Sequence, residues 1–148
     1  MAVRVRRARP GDALAVRKLI RELGYPADTR ATDETVSQVV KHPEAAVFVA
    51  VDGVEVLGYA AVSIRPQMRL GGLLASIDEL VVTAARRGAG VGTQLLDAAI
   101  AHARSLQCRR IDVLTNRARD SYQRGFYTER GFDEVDSAVL RIDFADKS

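Results

Sequence analysis

The segment of this sequence best suited to chemistry is 86–92, which reads Arg-Arg-Gly-Ala-Gly-Val-Gly. Glycine is favoured where the backbone takes left-handed angles or comes close to a ligand. A long helix is predicted directly after the segment, and the first N–H groups of a helix lack partners and carry partial positive charge. With Arg86 and Arg87 beside them, these groups predict a site for a phosphate or pyrophosphate.

The elements around this segment determine where such a site would lie. An apolar, strand-like segment, 73–83, precedes it. The helix after it has apolar residues at helical spacing: Leu95, Leu96, Ala99, Ala103 and Leu106. Residues 110–115 predict another strand, which should lie parallel to 73–83 because a helix connects the two.

The first part of the chain predicts one strand and two helices. Residues 3–9 alternate valine with arginine, which favours an edge strand whose arginines face solvent. Asp12 is the predicted N-cap of a helix that ends at Gly24. A weaker apolar pattern predicts a second helix from about residue 32 to residue 41.

The middle of the chain predicts an antiparallel meander. Strands at 47–51 and 54–64 flank Asp52-Gly53, a dipeptide typical of tight hairpin turns. A loop at 65–72 should return the chain to the strand at 73–83.

The end of the chain predicts a helix at 120–130 and strands near 133–136 and 139–144. The fold class is therefore α/β with a mostly antiparallel sheet, in a single domain spanning 1–148.

Two familiar phosphate-binding motifs do not fit the glycine segment. A nucleoside-triphosphate loop needs a lysine after its last glycine, and the segment has none. A dinucleotide fingerprint needs a third glycine, whereas the required position holds Thr93 or Leu95.

The order of motifs resembles the GNAT superfamily of N-acetyltransferases, in its small bacterial type. Residues 87–92 fit the superfamily pattern (Gln or Arg)-x-x-Gly-x-(Gly or Ala). Ile-Asp-Glu-Leu-Val-Val at 77–82 precedes the pattern, Thr-Gln-Leu-Leu follows it from Thr93, and Phe-Tyr-Thr-Glu-Arg-Gly-Phe lies at 126–132. The resemblance covers nearly the whole chain.

The resemblance implies acetyl-CoA as the acetyl donor, bound where the parallel strands 73–83 and 110–115 splay apart. Backbone groups of the first strand would pair with the pantetheine arm, and the glycine segment would hold the pyrophosphate. The implied cofactor-binding residues are Leu80, Val81, Val82, Arg87, Gly88, Ala89, Gly90, Val91, Gly92, Thr93 and Asn116. Asn116 lies further from Tyr127 than the corresponding asparagine in common relatives.

The implied reaction is direct attack of a primary amine on the thioester. Tyr127 matches the tyrosine that protonates the departing thiolate, and Glu79 matches a carboxylate that takes the amine's proton through water. Either could instead be structural: Tyr127 could pack beside Phe126, and Glu79 could face solvent. The N–H of Val81 or Val82 would stabilise the oxyanion.

The acceptor is expected to be a small-molecule amine, contacted by Tyr25 with segment 24–32, by the loop 65–72 and by the last strands. Acetylation of protein or peptide amines is the enzymatic alternative. A regulatory domain that binds acyl-CoA without turnover is the non-catalytic alternative. The last strand could also pair across a homodimer.

Composition sets the remaining expectations. The chain has 148 residues, 47% of them apolar, a net charge of +3 and one cysteine, Cys108. These values favour a cytoplasmic protein, and no signal peptide or membrane span is predicted. His42 and His102 are expected at the surface and no metal site is predicted. The arginines of segment 3–9 favour a solvated face over nucleic-acid binding.

Overall fold

The computed structural model describes residues 2–144. Backbone contacts divide the chain into two compact units, the first ending at Leu114 and the second beginning at Thr115. Each unit is described by itself. The single domain spanning 1–148 stays a prediction, and residues 1 and 145–148 lie outside the described residues.

The first unit contains a five-stranded sheet in which strands adjacent in sequence are also adjacent in space. The strands are β1 (Val3–Arg7), β2 (Ala45–Asp52), β3 (Glu55–Gln67), β4 (Gly72–Val82) and β5 (Arg110–Val113). The first four are antiparallel, and β5 is parallel to β4. The predicted mixed, mostly antiparallel sheet is confirmed, as is the edge position of β1.

Three helices cover the two faces of this sheet. They are α1 (Ala13–Glu22), α2 (Thr29–Lys41) and α3 (Val91–Ser105). Alternate residues of a strand face opposite sides, so Val49 and Tyr59 pack with α1 while Ala50 and Leu57 pack with α3. No helix within residues 2–144 is long and apolar enough to cross a bilayer.

Asp12 is the N-cap residue of α1, as predicted, but its side chain makes no cap hydrogen bond to that helix. A 3-10 turn, Pro10–Asp12, precedes the helix, and Asp12 itself has helical angles rather than the extended angles of a typical N-cap. Its carboxylate accepts hydrogen bonds from the Arg9 N–H at 2.8 Å and from the Arg6 guanidinium at 2.9 and 3.0 Å. Arg6 therefore faces a carboxylate and not only solvent.

The second unit has less helix than the sequence predicted. The predicted helix at 120–130 is interrupted: α4 covers only Asp120–Gln123, and a separate 3-10 turn covers Thr128–Arg130. Gly125 lies between them at φ +72°. This left-handed angle ends a right-handed helix. The segment predicted as one continuous helix therefore forms two short elements.

The predicted strands at 133–136 and 139–144 are not formed in the described part of the chain, where β5 is the last strand. Leu140, Ile142 and Phe144 alternate as in a strand but are 93%, 79% and 92% exposed. An alternating pattern of apolar and polar residues shows only that one side of the segment could pack on an apolar surface. It does not supply the partner strand that the backbone needs.

Candidate functional site

Strand β4 is paired on both sides at only four of its eleven residues. Its pairs with β5 run from Leu74 to Ile77, whereas its pairs with β3 continue to Val82. A β-bulge marks the change, because Ala61 lies opposite Glu79 and Val62 lies opposite Ile77. The inserted residue between those pairs disrupts the ladder and increases the local twist. From residue 78 to residue 82, β4 has a strand partner only on its β3 side among the described strands.

The directions of the N–H groups in this half-paired segment follow from one hydrogen bond. The Thr83 N–H donates to the Leu57 carbonyl of β3 at 2.8 Å. Because N–H groups alternate in direction along a strand, the Val81 N–H also points towards β3. The N–H groups of Leu80 and Val82 consequently point to the open edge.

The glycine segment forms the turn between β4 and α3. Gly88 and Gly90 both have φ +83°, and a Cβ at either would have no neighbouring atom within 4 Å. Glycine is therefore needed there for its backbone angles and not for space. Gly92 differs, since it lies inside α3 and has no positive φ.

The start of α3 presents unpaired N–H groups. Gly90 is the N-cap of α3 and, as a glycine, has no side chain that could accept a hydrogen bond from the helix. The first hydrogen bond of the helix is from the Gln94 N–H to the Gly90 carbonyl at 3.1 Å. The N–H groups of Val91, Gly92 and Thr93 therefore have no acceptor within the helix. With the helix dipole they form a site suited to an anion.

The two arginines of the segment have different surroundings. Arg86 bonds to Asp52 at 3.3 Å and lies 3.8 Å from Glu55, so its charge is already paired with the β2–β3 hairpin. Arg87 is exposed and forms no ion pair within residues 2–144. Of the two arginines that predicted an anion site, only Arg87 keeps an unpaired charge for a ligand.

Glu22 fixes the beginning of this turn, a role that sequence reasoning missed. Its carboxylate accepts hydrogen bonds from the Thr83 hydroxyl at 3.1 Å and from the Ala84 N–H at 3.0 Å. These bonds join the end of α1 to the end of β4. The partners lie 61 positions apart, so no local sequence signal identifies them.

Glu79 and Tyr59 meet on the face of the sheet that α1 covers. The Tyr59 hydroxyl donates to Glu79 Oε1 at 2.9 Å, and Tyr59 is only 2% exposed. Burial and the nearby negative charge raise the pKa of Tyr59, so it remains a protonated donor. Side chains on neighbouring strands can meet diagonally across the pair, but which side chains meet depends on the register between β3 and β4.

A cavity of about 430 Å³ lies between α1, α2 and the sheet, and Glu79 and Tyr59 line it. Most of its other walls are apolar, with Ile20, Val36 and Ala61 as examples. The predicted acceptor segment 24–32 contributes to the lining, although Tyr25 does not. The cavity is a candidate acceptor site because the Glu79 carboxylate meets a mostly apolar space.

Tyr127 and Asn116 belong to the second unit. The Tyr127 ring contacts Phe126 and Phe132 edge-on, with centroid distances of 5.0 and 5.9 Å. Burial raises the pKa of Tyr127, while the charge of Arg119 opposes the shift, so its phenol is protonated at neutral pH. Asn116 Oδ1 accepts the Ala118 N–H at 2.8 Å, which leaves its NH₂ group as the donor for a ligand.

His102 is not the surface residue that the sequence predicted. It is half-buried and lies edge-on to Phe48, with a centroid distance of 5.7 Å. Burial and the charge of Arg7 lower the pKa of His102. His42 is exposed and Cys108 is half-buried. Within residues 2–144, no group of three or more potential ligands could hold a metal ion.

Comparison with known proteins identifies the family. The sequence model of the acetyltransferase (GNAT) family matches residues 13–132. The chain belongs to the GNAT family. The general activity of this family is acetyl transfer, and its members use acetyl-CoA as the acyl donor. No curated protein matches the sequence.

Solved structures share the GNAT fold over almost the whole chain. A transcriptional regulator from Bacillus halodurans is 25% identical with a TM-score of 0.81, over 97% of this chain and 100% of that one. An acetyltransferase from Trypanosoma brucei is 21% identical with a TM-score of 0.79, over 97% and 100%. Glucosamine-6-phosphate N-acetyltransferase from Arabidopsis thaliana is 16% identical with a TM-score of 0.77, over 98% and 100%. At 21% and 16% identity, the last two similarities show only that the fold is shared.

Proposed function

We propose that this protein is an N-acetyltransferase that moves the acetyl group of acetyl-CoA to the primary amine of a small molecule. The observation that carries the proposal is the half-paired end of β4, which leads directly into the unpaired N–H groups of α3. An open strand edge suits an amide-rich chain, and a helix N-terminus suits a pyrophosphate. Coenzyme A contains both groups in that order.

The proposed donor site uses mainly backbone groups. The N–H groups of Leu80 and Val82 point to the open edge, and that of Val82, next to the glycine turn, would pair with an amide of the pantetheine arm. The first N–H groups of α3, from Val91 to Thr93, would bind the pyrophosphate together with Arg87. Side-chain contacts, including one from Asn116, would add to this framework.

The proposed chemistry needs three groups. Glu79 accepts the proton of the attacking amine through water while its carboxylate is held by Tyr59. The Leu80 N–H points to the same open edge but lies nearer to Glu79 and further from the pyrophosphate site, and it stabilises the oxyanion that forms when the amine adds to the thioester carbonyl. As the carbon–sulfur bond breaks, Tyr127 donates its proton to the thiolate.

Acetylation of a broad panel of primary amines tests this proposal. The purified protein is incubated with acetyl-CoA and each amine, and products are identified by mass spectrometry. Release of the coenzyme A thiol is measured with and without amine. We expect an acetylated amine and amine-dependent thiol release. Binding of acetyl-CoA without product from any amine would contradict the proposal.

One comparison favours a second candidate, a regulatory domain that binds acyl-CoA without turnover. The Bacillus halodurans protein, at 25% identity, is described as a transcriptional regulator. The two candidates differ in the fate of the thioester, because a purely regulatory domain leaves it intact. Calorimetric binding of acetyl-CoA with no amine-dependent thiol release would support this second candidate.

A further inference from the structure

We infer that the cavity between α1, α2 and the sheet selects a small amine with one positive charge and an apolar body, and that Tyr59 positions the Glu79 carboxylate towards that charge. This inference rests on the proposed function and names the acceptor class of the same site.

The charges of the cavity admit a cation and oppose an anion. Among residues 2–144, the acidic and basic side chains that line it are two carboxylates, Asp28 and Glu79, with no lysine, arginine or histidine. Asp28 is the N-cap of α2, and its Oδ1 accepts the Ala31 N–H at 2.9 Å. Glu79 is therefore the carboxylate better placed to receive an ammonium group.

The walls oppose a second charge or a row of hydroxyl groups. Val16, Ile20, Val36 and Val40 line the cavity, and none can replace the hydrogen bonds that a polar group makes with water. Two threonines also line the cavity, but the Thr35 hydroxyl already donates to the Ala31 carbonyl at 2.8 Å, so only Thr32 could offer its hydroxyl to a ligand. Burial of a polar group without a partner is unfavourable, so polyamines and amino sugars should bind poorly.

The same walls favour a hydrocarbon body. Removal of apolar surface from water favours binding roughly in proportion to the area buried. The volume of about 430 Å³ lies within the usual range of ligand pockets, about 300–1,000 Å³. A phenyl ring or a medium alkyl chain attached to a primary amine matches both the size and the chemistry of this space.

Tyr59 gives the carboxylate a defined orientation. Tyr59 is buried and its hydroxyl donates to Glu79 Oε1 at 2.9 Å, whereas Glu79 itself is exposed and lines the cavity. One carboxylate oxygen is therefore fixed, and Oε2 is left to receive the amine. Tyr59 is a positioning residue, since it acts on the substrate only through Glu79.

Steady-state kinetics with matched amines test the acceptor class. Phenethylamine and hexylamine are compared with glucosamine, with spermidine and with a peptide that has a free N-terminus. We expect kcat/KM to be higher for the two apolar amines by about tenfold or more, as for other apolar pockets. Equal or better turnover of glucosamine, spermidine or the peptide would overturn the inference while supporting acetyl transfer. No turnover of any amine would overturn the proposed function itself.

Two cavity-narrowing variants and one control test the location. Ala61→Ile adds volume from the sheet and Ala31→Phe adds it from α2. Each should raise the KM for hexylamine by about tenfold and leave the KM for acetyl-CoA unchanged. Ala101→Phe, on an exposed position of α3, should change neither value. Thermal unfolding identifies a variant that fails to fold, and an unchanged hexylamine KM in a folded narrowing variant would overturn the location.

Tyr59→Phe tests the positioning role. Loss of the hydroxyl should lower kcat with hexylamine and shift its pH profile, because the carboxylate that takes the proton loses a hydrogen bond. Acetyl-CoA affinity, measured by calorimetry, should stay the same. An unchanged pH profile and kcat in a folded Tyr59→Phe protein would remove this role.

Discussion

Tyr127 and Tyr59 are phenols that burial keeps protonated, although their surroundings differ. Tyr59 donates its proton to Glu79, whereas the Tyr127 ring lies between two phenylalanines. The Tyr127 hydroxyl forms no hydrogen bond with another residue in the part of the chain that the structure describes, whereas its backbone carbonyl accepts the N–H groups of Arg130 and Phe132. A protonated phenol without a protein acceptor suits the role of proton donor to a thiolate.

Tyr127→Phe should lower kcat by about 100-fold, the smaller end of the usual contribution of a general acid. The KM for acetyl-CoA should change little, because the ring and its two aromatic contacts remain. Steady-state kinetics measure both values. Tyr122→Phe is the matched control, since Tyr122 instead donates to Glu134 at 2.7 Å, and it should leave kcat unchanged. Equal kcat in wild type and Tyr127→Phe would end the assignment.

At the scale of elements, features that depend on neighbouring residues were predictable from the sequence, whereas features that depend on contacts between distant residues were not. The hairpin was predictable because Asp52-Gly53 and the apolar runs beside it are local features, and β2 and β3 confirm it. The bulge at residue 78 was not predictable, because it depends on the register between β3 and β4. The Glu22 and Tyr59 contacts were missed for the same reason.

Gly90→Ala should weaken the donor site through the backbone. An alanine at φ +83° costs about 1–2 kcal/mol, and relief of that strain would turn the first N–H groups of α3 away from the pyrophosphate. The KM for acetyl-CoA should rise by about tenfold. Gly71→Ala is the control, because Gly71 also has positive φ (68°) and open space around it but lies in the β3–β4 turn.

Denaturant unfolding and acetyl-CoA titration separate the two effects of Gly90→Ala. Both variants should lose similar stability, and only Gly90→Ala should lose donor affinity. If Gly71→Ala weakens acetyl-CoA binding equally, the effect reflects general destabilisation and not the α3 N-terminus.

For the whole molecule, the Arg6–Asp12 pair makes stability depend on pH. The hydrogen bonds from Arg6 are the main cause that lowers the pKa of Asp12 in the folded protein. A lowered pKa means that the ionised form favours folding, so the contribution is complete above the unfolded pKa of about 4. It is lost as pH falls through the lower, folded value.

Asp12→Asn should therefore lower the free energy of unfolding by about 1–3 kcal/mol at neutral pH, as expected for a hydrogen bond to a charged group. The difference from wild type should shrink as pH falls below about 4. Urea unfolding at several pH values measures it. Asp112→Asn, at an exposed position of β5, should show no such pH dependence. A constant difference at all pH values would contradict the ionic origin.

The half-paired end of β4 has a consequence for how this protein could diverge. Under the proposed function, the donor is held mainly by main-chain N–H groups of β4 and α3, which substitution of a side chain does not remove. The acceptor cavity, by contrast, is lined mostly by side chains such as Ile20, Val36 and Ala61. Sequence drift can therefore exchange one acceptor for another while the donor stays the same, as long as the backbone keeps its bulge and its glycine turn.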